Sequence, residues 1–350
     1  MNYDELILLS KTLLADDAKQ LIPLLEDKLE AKESISQIIQ RNKIKIKCPY
    51  CKGKTIKHGT KNNIQRYKCL ECNRTFSNTT NTITYKTHFS FNKWIKFVHC
   101  ELLGLTIAQT AKEIDVTEPT VFSWRHKLYA AIGKVKENIF LEGKVQIDAT
   151  FTSINLKGTK PKNMPRASKK RGGTSSSGGM SHKVCIMCAI DELENMMIEI
   201  VGVGSEDKDK MRKIGYKLRE CTTLISDSKQ AFRWWTKDNQ KKSITIKSYA
   251  EYKDQWGYTI NKVNQLHSEI KEIISELHGV SIRHLQGYLD MFLFRKLIKK
   301  LELEDDDIYT FNKAIPSKTK LIIKDIFTKA IPIDLKKVYG EYKYGIFKDS

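Results

Sequence analysis

Two pairs of cysteines constrain this chain more than any other feature. Cys48-Pro-Tyr-Cys51 and Cys69-Leu-Glu-Cys72 are CxxC pairs with 17 residues between them. This is the spacing of a zinc ribbon, in which two hairpin knuckles each offer two thiolates and four sulfurs close a tetrahedron around one Zn²⁺. Thr55, Ile56, Tyr67 and Phe76 supply strand formers around the knuckles, and Gly53, Gly59 and Asn73 supply turns. Two disulfides are the competing use of four cysteines. The chain opens with acidic Asp4 and Glu5, which does not read as a secretory leader, and a disulfide framework needs no matched CxxC pairs. A structural zinc ribbon over 44–80 is therefore expected. By itself such a module implies only a DNA, RNA or protein partner.

Charge narrows the partner. The chain has 61 Lys+Arg against 41 Asp+Glu, a net charge of +20. A polyanion is the natural counterpart, and nucleic acid is the commonest one, although a Lys- and Ile-rich genome would supply part of the excess. No apolar run reaches 18 residues, so no membrane span is expected and a cytoplasmic, nucleoid-associated protein is.

Residues 1–43 read as helices, with Leu6, Leu13, Leu21, Leu25 and Leu29 recurring at roughly helical spacing. A second DNA-binding module is expected over 88–135. Ser90 is a candidate N-cap for a helix reaching about Leu103. Two helices then flank Asp115-Val116, with Ala111 at their crossing and Pro119 in the first turn of the second. Asp115 takes the turn position that glycine usually holds. Val116, Val121 and Trp124 are expected to face the core. Thr120, Ser123, Arg125, His126 and Lys127 are expected on the exposed face, as DNA contacts of a helix-turn-helix.

From residue 140 the pattern turns to strands, at 144–152, 182–190, 196–203 and 222–226, then to helices from about Gln230 and from about Lys262 to Leu277. That order predicts an α/β domain with a mixed sheet over 140–300. It carries a basic, Gly/Ser-rich insertion at 153–181, in which Lys169, Lys170 and Arg171 are further candidate DNA contacts. Cys185 and Cys188 also read CxxC, but residues three apart on a strand face opposite ways, so they are expected in the core with Cys100 and Cys221. Residues 301–350 form a tail with no assigned role.

Asp148 interrupts an apolar strand and Asp227 ends another. On the following helix Asn264, His267, Ser268 and Lys271 recur along one stripe. Two strand-end carboxylates and a helical oxygen ligand can hold two Mg²⁺ or Mn²⁺ ions for in-line attack on a phosphodiester. Asp191, Glu206, Asp207 and Asp209 read as solvated turn residues, and Trp234 and Trp235 as core.

The motifs CPYC, CLEC, TVFSWRHKL, VQIDAT, LISDSKQAF and VNQLHSEIK together resemble those of bacterial zinc-ribbon insertion-sequence transposases. More closely, they resemble the subgroup in which Asn is the third catalytic residue and Lys follows seven residues later. The resemblance runs from Cys48 to about Phe294. It implies a multidomain α/β chain with N-terminal helices, zinc ribbon, helix-turn-helix and an RNase H-like catalytic domain. It also implies that Asp148, Asp227 and Asn264 bind catalytic metal, that Lys271 is the basic residue of the site, and that His267 is its neighbour. Ala149 stands where many relatives have Glu. Terminal inverted repeats and target DNA would be the partners, met by a homodimer or larger assembly. A non-catalytic DNA-binding regulator and a structure-selective nuclease are the alternatives. Inverted repeats flanking the reading frame would separate them from a transposase.

Overall fold

The computed structural model describes residues 47–61, 64–77, 79–80, 82–85, 87–137, 139–157, 183–246 and 257–303. The expected N-terminal helices, most of the basic insertion with Lys169, Lys170 and Arg171, and the tail beyond 303 lie outside the described residues. The described residues divide into two compact units, 47–128 and 129–303.

The first unit begins with a three-stranded antiparallel sheet, β1 (Thr55–Lys61), β2 (Ile64–Cys69) and β3 (Thr75–Ser77). Lys52 and Asn73, each following the last cysteine of a CxxC pair, take positive φ values of 63° and 55°. Those left-handed residues turn the knuckles, as expected for Asn73. The ribbon's buried core is only Cys48, Tyr67, Cys69 and Phe76, with the Tyr67 and Phe76 rings stacked 5.5 Å apart.

Three helices follow: α1 (Phe91–Leu102), α2 (Ile107–Glu113) and α3 (Glu118–Lys136). Ser90 caps α1 by accepting from the Lys93 amide, and Thr106 with Gln109 forms a capping box on α2. Asp115 has φ +52° in the turn before α3, so it does take the glycine-like position. Trp94 of α1 stacks on Trp124 of α3 at 4.0 Å, and Phe97 meets Trp124 edge-on.

The exposed face expected on α3 is corrected at two residues. Arg125 and His126 are buried. Val121, Trp124, Arg125 and Leu128 stand at i, i+3, i+4 and i+7, so Arg125 belongs to the core stripe of the helix. Its Nε and Nη2 donate to Glu101 Oε1 at 2.8 and 2.6 Å, and Nη2 also donates to the Leu105 carbonyl. His126 packs edge-on to Phe122. Lys127 is half-buried, lying over the Trp94 ring and donating to the Tyr85 carbonyl. Thr120 and Ser123 are half-exposed, and so is Val116, which was expected in the core. Glu101 is fully buried, so Arg125→Met would remove the guanidinium that neutralises its carboxylate, at a cost of about 3–5 kcal/mol. Thermal melting should show that loss.

The second unit is built on a five-stranded sheet of β4 (Gly143–Ser153), β5 (Lys183–Asp191), β6 (Met196–Val203), β7 (Cys221–Ser226) and β8 (Lys242–Thr245). The spatial order is β6-β5-β4-β7-β8. The first three strands pair antiparallel, and β7 and β8 add in parallel beyond β4. The sheet is therefore mixed, as predicted. One face packs on α4 (Lys208–Ile214) and α5 (Gln230–Asp238), through a core that includes Val145, Ile147, Cys185, Met211, Phe232 and Trp235. The other face packs on α6 (Asn261–Glu276) and α7 (Ile282–Leu303), through Ile186, Cys188, Ile225, Val263, Leu266 and Leu289. Cys185 and Cys188 fall on opposite faces, as strand geometry requires. Trp235 is buried, whereas Trp234 is only partly so, with Lys208 and Arg212 against its ring. The buried Lys136 ammonium pairs with Asp290 at 2.5 Å and Glu199 at 2.8 Å, tying the end of α3 to α7 and β6. Among the described residues no helix is long and apolar enough to cross a membrane.

Candidate active site and metal centres

Register brings the two strand aspartates together. In the parallel ladder Gln146 pairs with Ile225 and Ile147 with Ser226, so the next step sets Asp148 beside Asp227 where β7 ends. Neighbouring strands lie about 4.8 Å apart, close enough for two carboxylates to share one cation. Alternation then fixes direction. Ile225 belongs to the α6–α7 face, and Asp227 two residues on follows it.

Gln146, two residues before Asp148, accepts at its side-chain oxygen from the Lys262 and Val263 amides. It thus substitutes for a side-chain cap at the N-terminus of α6, where the cap position itself provides none. That anchor carries His267 to Asp148, with Nδ1 and Oδ2 3.8 Å apart. His267 is buried and its Nε2 has no hydrogen-bond partner among the described residues. Burial pulls its imidazole down to about 4, keeping it neutral at neutral pH. The rest of the predicted stripe is not buried: Asn264, Ser268 and Lys271 are exposed. Lys271 lines a cleft with Thr150, Thr152, Ile270 and Ser275, along β4 beyond Asp148.

The sequence reading missed one acidic member of the site. Glu206, expected to be solvated, has a side chain only 3% exposed, and its Oε1 pairs with Lys229 at 3.1 Å. One carboxylate oxygen from each of Asp148, Glu206 and Asp227 lies within 4.8 Å of the others. Octahedral Mg²⁺ with ligands at about 2.1 Å separates its oxygens by about 3 Å (adjacent) to 4.2 Å (opposite), so the donor set fits a hard divalent cation. Asp191 is also buried rather than solvated, accepting from the Glu142 and Asn195 amides at a tight turn. Asp207 caps α4, and Asp209 is exposed beside Arg212. The lost signal was that Glu206 follows β6 by three residues, as a strand-end carboxylate like Asp227. The charged run that comes after it hid that relation.

Crowding shows in the protonation of the carboxyls. Burial, then the charges of Asp227 and Glu206, push Asp148 up to about 7, against the Ala149 amide and Lys229. Burial raises Asp227 as well. A folded pKa above the unfolded value of about 3.9 means that folded protein holds the proton longer. Metal-free stability should therefore fall as pH rises from about 4 to 7 and level off above. Thermal melting of wild type against Asp148→Asn checks this. The difference between them should grow over that window and shrink when Mg²⁺ is added.

In the first unit the four ribbon sulfurs lie within 4.8 Å of one another, with Cys48–Cys72 at 3.6 Å and Cys51–Cys69 at 3.4 Å. A tetrahedral zinc with Zn–S bonds of about 2.3 Å has sulfurs about 3.8 Å apart, so the residues fit Zn²⁺. Burial opposes ionisation of Cys48, but the Cys51 and Tyr50 amides outweigh it and bring the thiol down to about 7. The other cysteines, Cys100, Cys185, Cys188 and Cys221, are buried and reduced.

Residues 140–296 match the ISXO2-like transposase domain. The chain is also 26% identical, over 274 residues, to an uncharacterized protein in the transposable element ISH50 of Halobacterium salinarum. That alignment spans 75% of this chain and 88% of the relative. Residues 140–296 are thus similar to a transposase-family domain, and the chain is similar to an insertion-sequence protein. Among solved structures it is similar to a pre-cleavage Mos1 transpososome, at 9% identity and a TM-score of 0.20. It is also similar to a Mos1 paired-end complex with the left transposon end, at 12% and 0.23. Each match covers 64% of this chain and 82% of the other.

Proposed function

We propose that the protein is the transposase of an insertion sequence, one that binds the element's terminal inverted repeats, cleaves the ends and joins them to target DNA. One observation carries the reading: strand register sets Asp148 beside Asp227, inside a domain that matches a transposase family. The strand order, with an antiparallel β6-β5-β4 and parallel β7 and β8, supports an RNase H-like core for this chemistry.

Asp148 and Asp227 hold the catalytic cations, with Asn264 as the Asn of the DDNK subgroup. Bound Mg²⁺ or Mn²⁺ supplies an activated water or 3′-hydroxyl and neutralises charge on the leaving oxygen. Lys271, exposed at the cleft along β4, meets a phosphate beside the scissile bond. His267 stays neutral, and it orients Asp148 from the buried side of α6. Thr120 and Ser123 approach DNA from α3, together with Lys169, Lys170 and Arg171 of the insertion. Cutting two ends in one event calls for at least a dimer on DNA.

The test is cleavage and strand transfer by the zinc-loaded protein with the element's own ends, Mg²⁺ and a target plasmid. Nicking at the repeat tip, followed by joining of the new 3′-hydroxyl, is expected. Binding of the ends with no cleavage in either Mg²⁺ or Mn²⁺ would replace the proposal with a DNA-binding regulator. Cleavage of branched DNA without end specificity would replace it with a nuclease.

A further inference from the structure

The loop between β6 and α4 brings a carboxylate into the site from an element that neither strand aspartate occupies. We infer that Glu206 is a third charged ligand of the cation at Asp148 and Asp227, and that Lys229 holds the place of that charge until the cation binds. The inference rests on the metal-dependent reading above.

Three features converge on it. First, Glu206 contributes an oxygen to the same 4.8 Å cluster as the two aspartates. Second, its side chain is 97% removed from solvent (3% exposed), yet Oε2 is buried with no hydrogen-bond partner among the described residues. A carboxylate left half-satisfied in a protein interior costs free energy unless something else completes it. Third, the charges do not balance. Three carboxylates share Lys229, whose own side chain is 49% exposed and whose ammonium reaches Glu206 at 3.1 Å. With all three ionised the group carries a formal charge of 3 − 1 = 2 negative, which one divalent cation neutralises.

Asn264 cannot supply this charge, because its amide is neutral and its residue is exposed on α6. Glu206 provides it from the loop between β6 and α4. Lys229 lies two residues past Asp227, directly before α5, so its ammonium can leave Glu206 without disturbing a strand.

The discriminating measurement is Mn²⁺ binding to the full-length, zinc-loaded protein, followed by electron paramagnetic resonance of free Mn²⁺. Wild type is compared with Asp227→Asn, Glu206→Gln and Lys229→Met. Glu206→Gln should weaken Mn²⁺ by about tenfold or more, in the same direction as Asp227→Asn. Lys229→Met should bind at least as tightly as wild type, since it removes only a competing cation. Two results would overturn the inference. One is wild-type affinity in Glu206→Gln. The other is a parallel loss of affinity and melting temperature in Glu206→Gln and Lys229→Met, which marks a structural ion pair. If Glu206→Gln does not fold, Glu206→Asp replaces it, and reduced affinity against wild-type affinity decides in the same way. Mn²⁺ bound by Glu206 in a wild type that cannot cleave element ends would leave this inference standing while removing the transposase reading.

Discussion

Asp227→Ala should bind element ends as wild type does and cut them on the order of 10³-fold more slowly, a loss of about 4 kcal/mol in transition-state stabilisation. The reason lies in the sheet. Asp227 is the first residue past β7, level with Asp148 on the adjacent parallel strand. Removing it leaves Asp148 with no charged neighbour on that strand, while the α3 residues proposed to meet DNA belong to the other compact unit. Gel-shift and strand-cleavage assays on the same preparation separate the two effects. Stability should move the opposite way. Burial and nearby Glu206 both raise Asp227, so deleting its carboxylate relieves the metal-free site. An Asp227→Ala protein that melts higher and cuts less is the signature of a residue kept for function at the expense of the fold. Equal cleavage by mutant and wild type would remove Asp227 from the site.

Zinc removal should have the second large effect. Metal binding to a four-thiolate site is worth about 10–16 kcal/mol, and in a module this small it is folding free energy. The ribbon has four buried core residues, and two of them, Cys48 and Cys69, are metal-binding candidates. Without the ion, stacked Tyr67 and Phe76 are nearly all the apolar core beneath three short strands. Chelation, or Cys69→Ser, is therefore expected to unfold the ribbon while the sheet unit stays folded. Amide-resolved hydrogen exchange would show protection lost across 47–77 and kept across β4, β5 and β7. Elemental analysis of the untreated protein should return one zinc per chain. A ribbon still protected in the chelated protein would mean that the thiols pack without metal.

Local spacing was enough for the features that depend on near neighbours along the chain. The two CxxC pairs, Asp115 at a left-handed turn and Ser90 as an N-cap are decided within a few residues, and each is found where expected. The opposite faces of Cys185 and Cys188 follow from strand alternation alone. So does the order of strands and helices that makes a mixed sheet, because hydrophobic period reports element type wherever an element is long enough.

What only the tertiary structure decided is which polar groups go inside. Arg125 is an arginine on an apparently exposed helix until Glu101, 24 residues earlier, is brought beneath it. Gln146 reads as an ordinary strand residue until the start of α6 arrives 116 residues later and uses its oxygen as a cap. Glu206 looks solvated in a charged run until Asp148 and Asp227 come within reach from two other strands. The physical reason is common to all three. Burying a polar or charged side chain is tolerated only when a partner is supplied, and partners far apart in sequence exist only once the chain has folded.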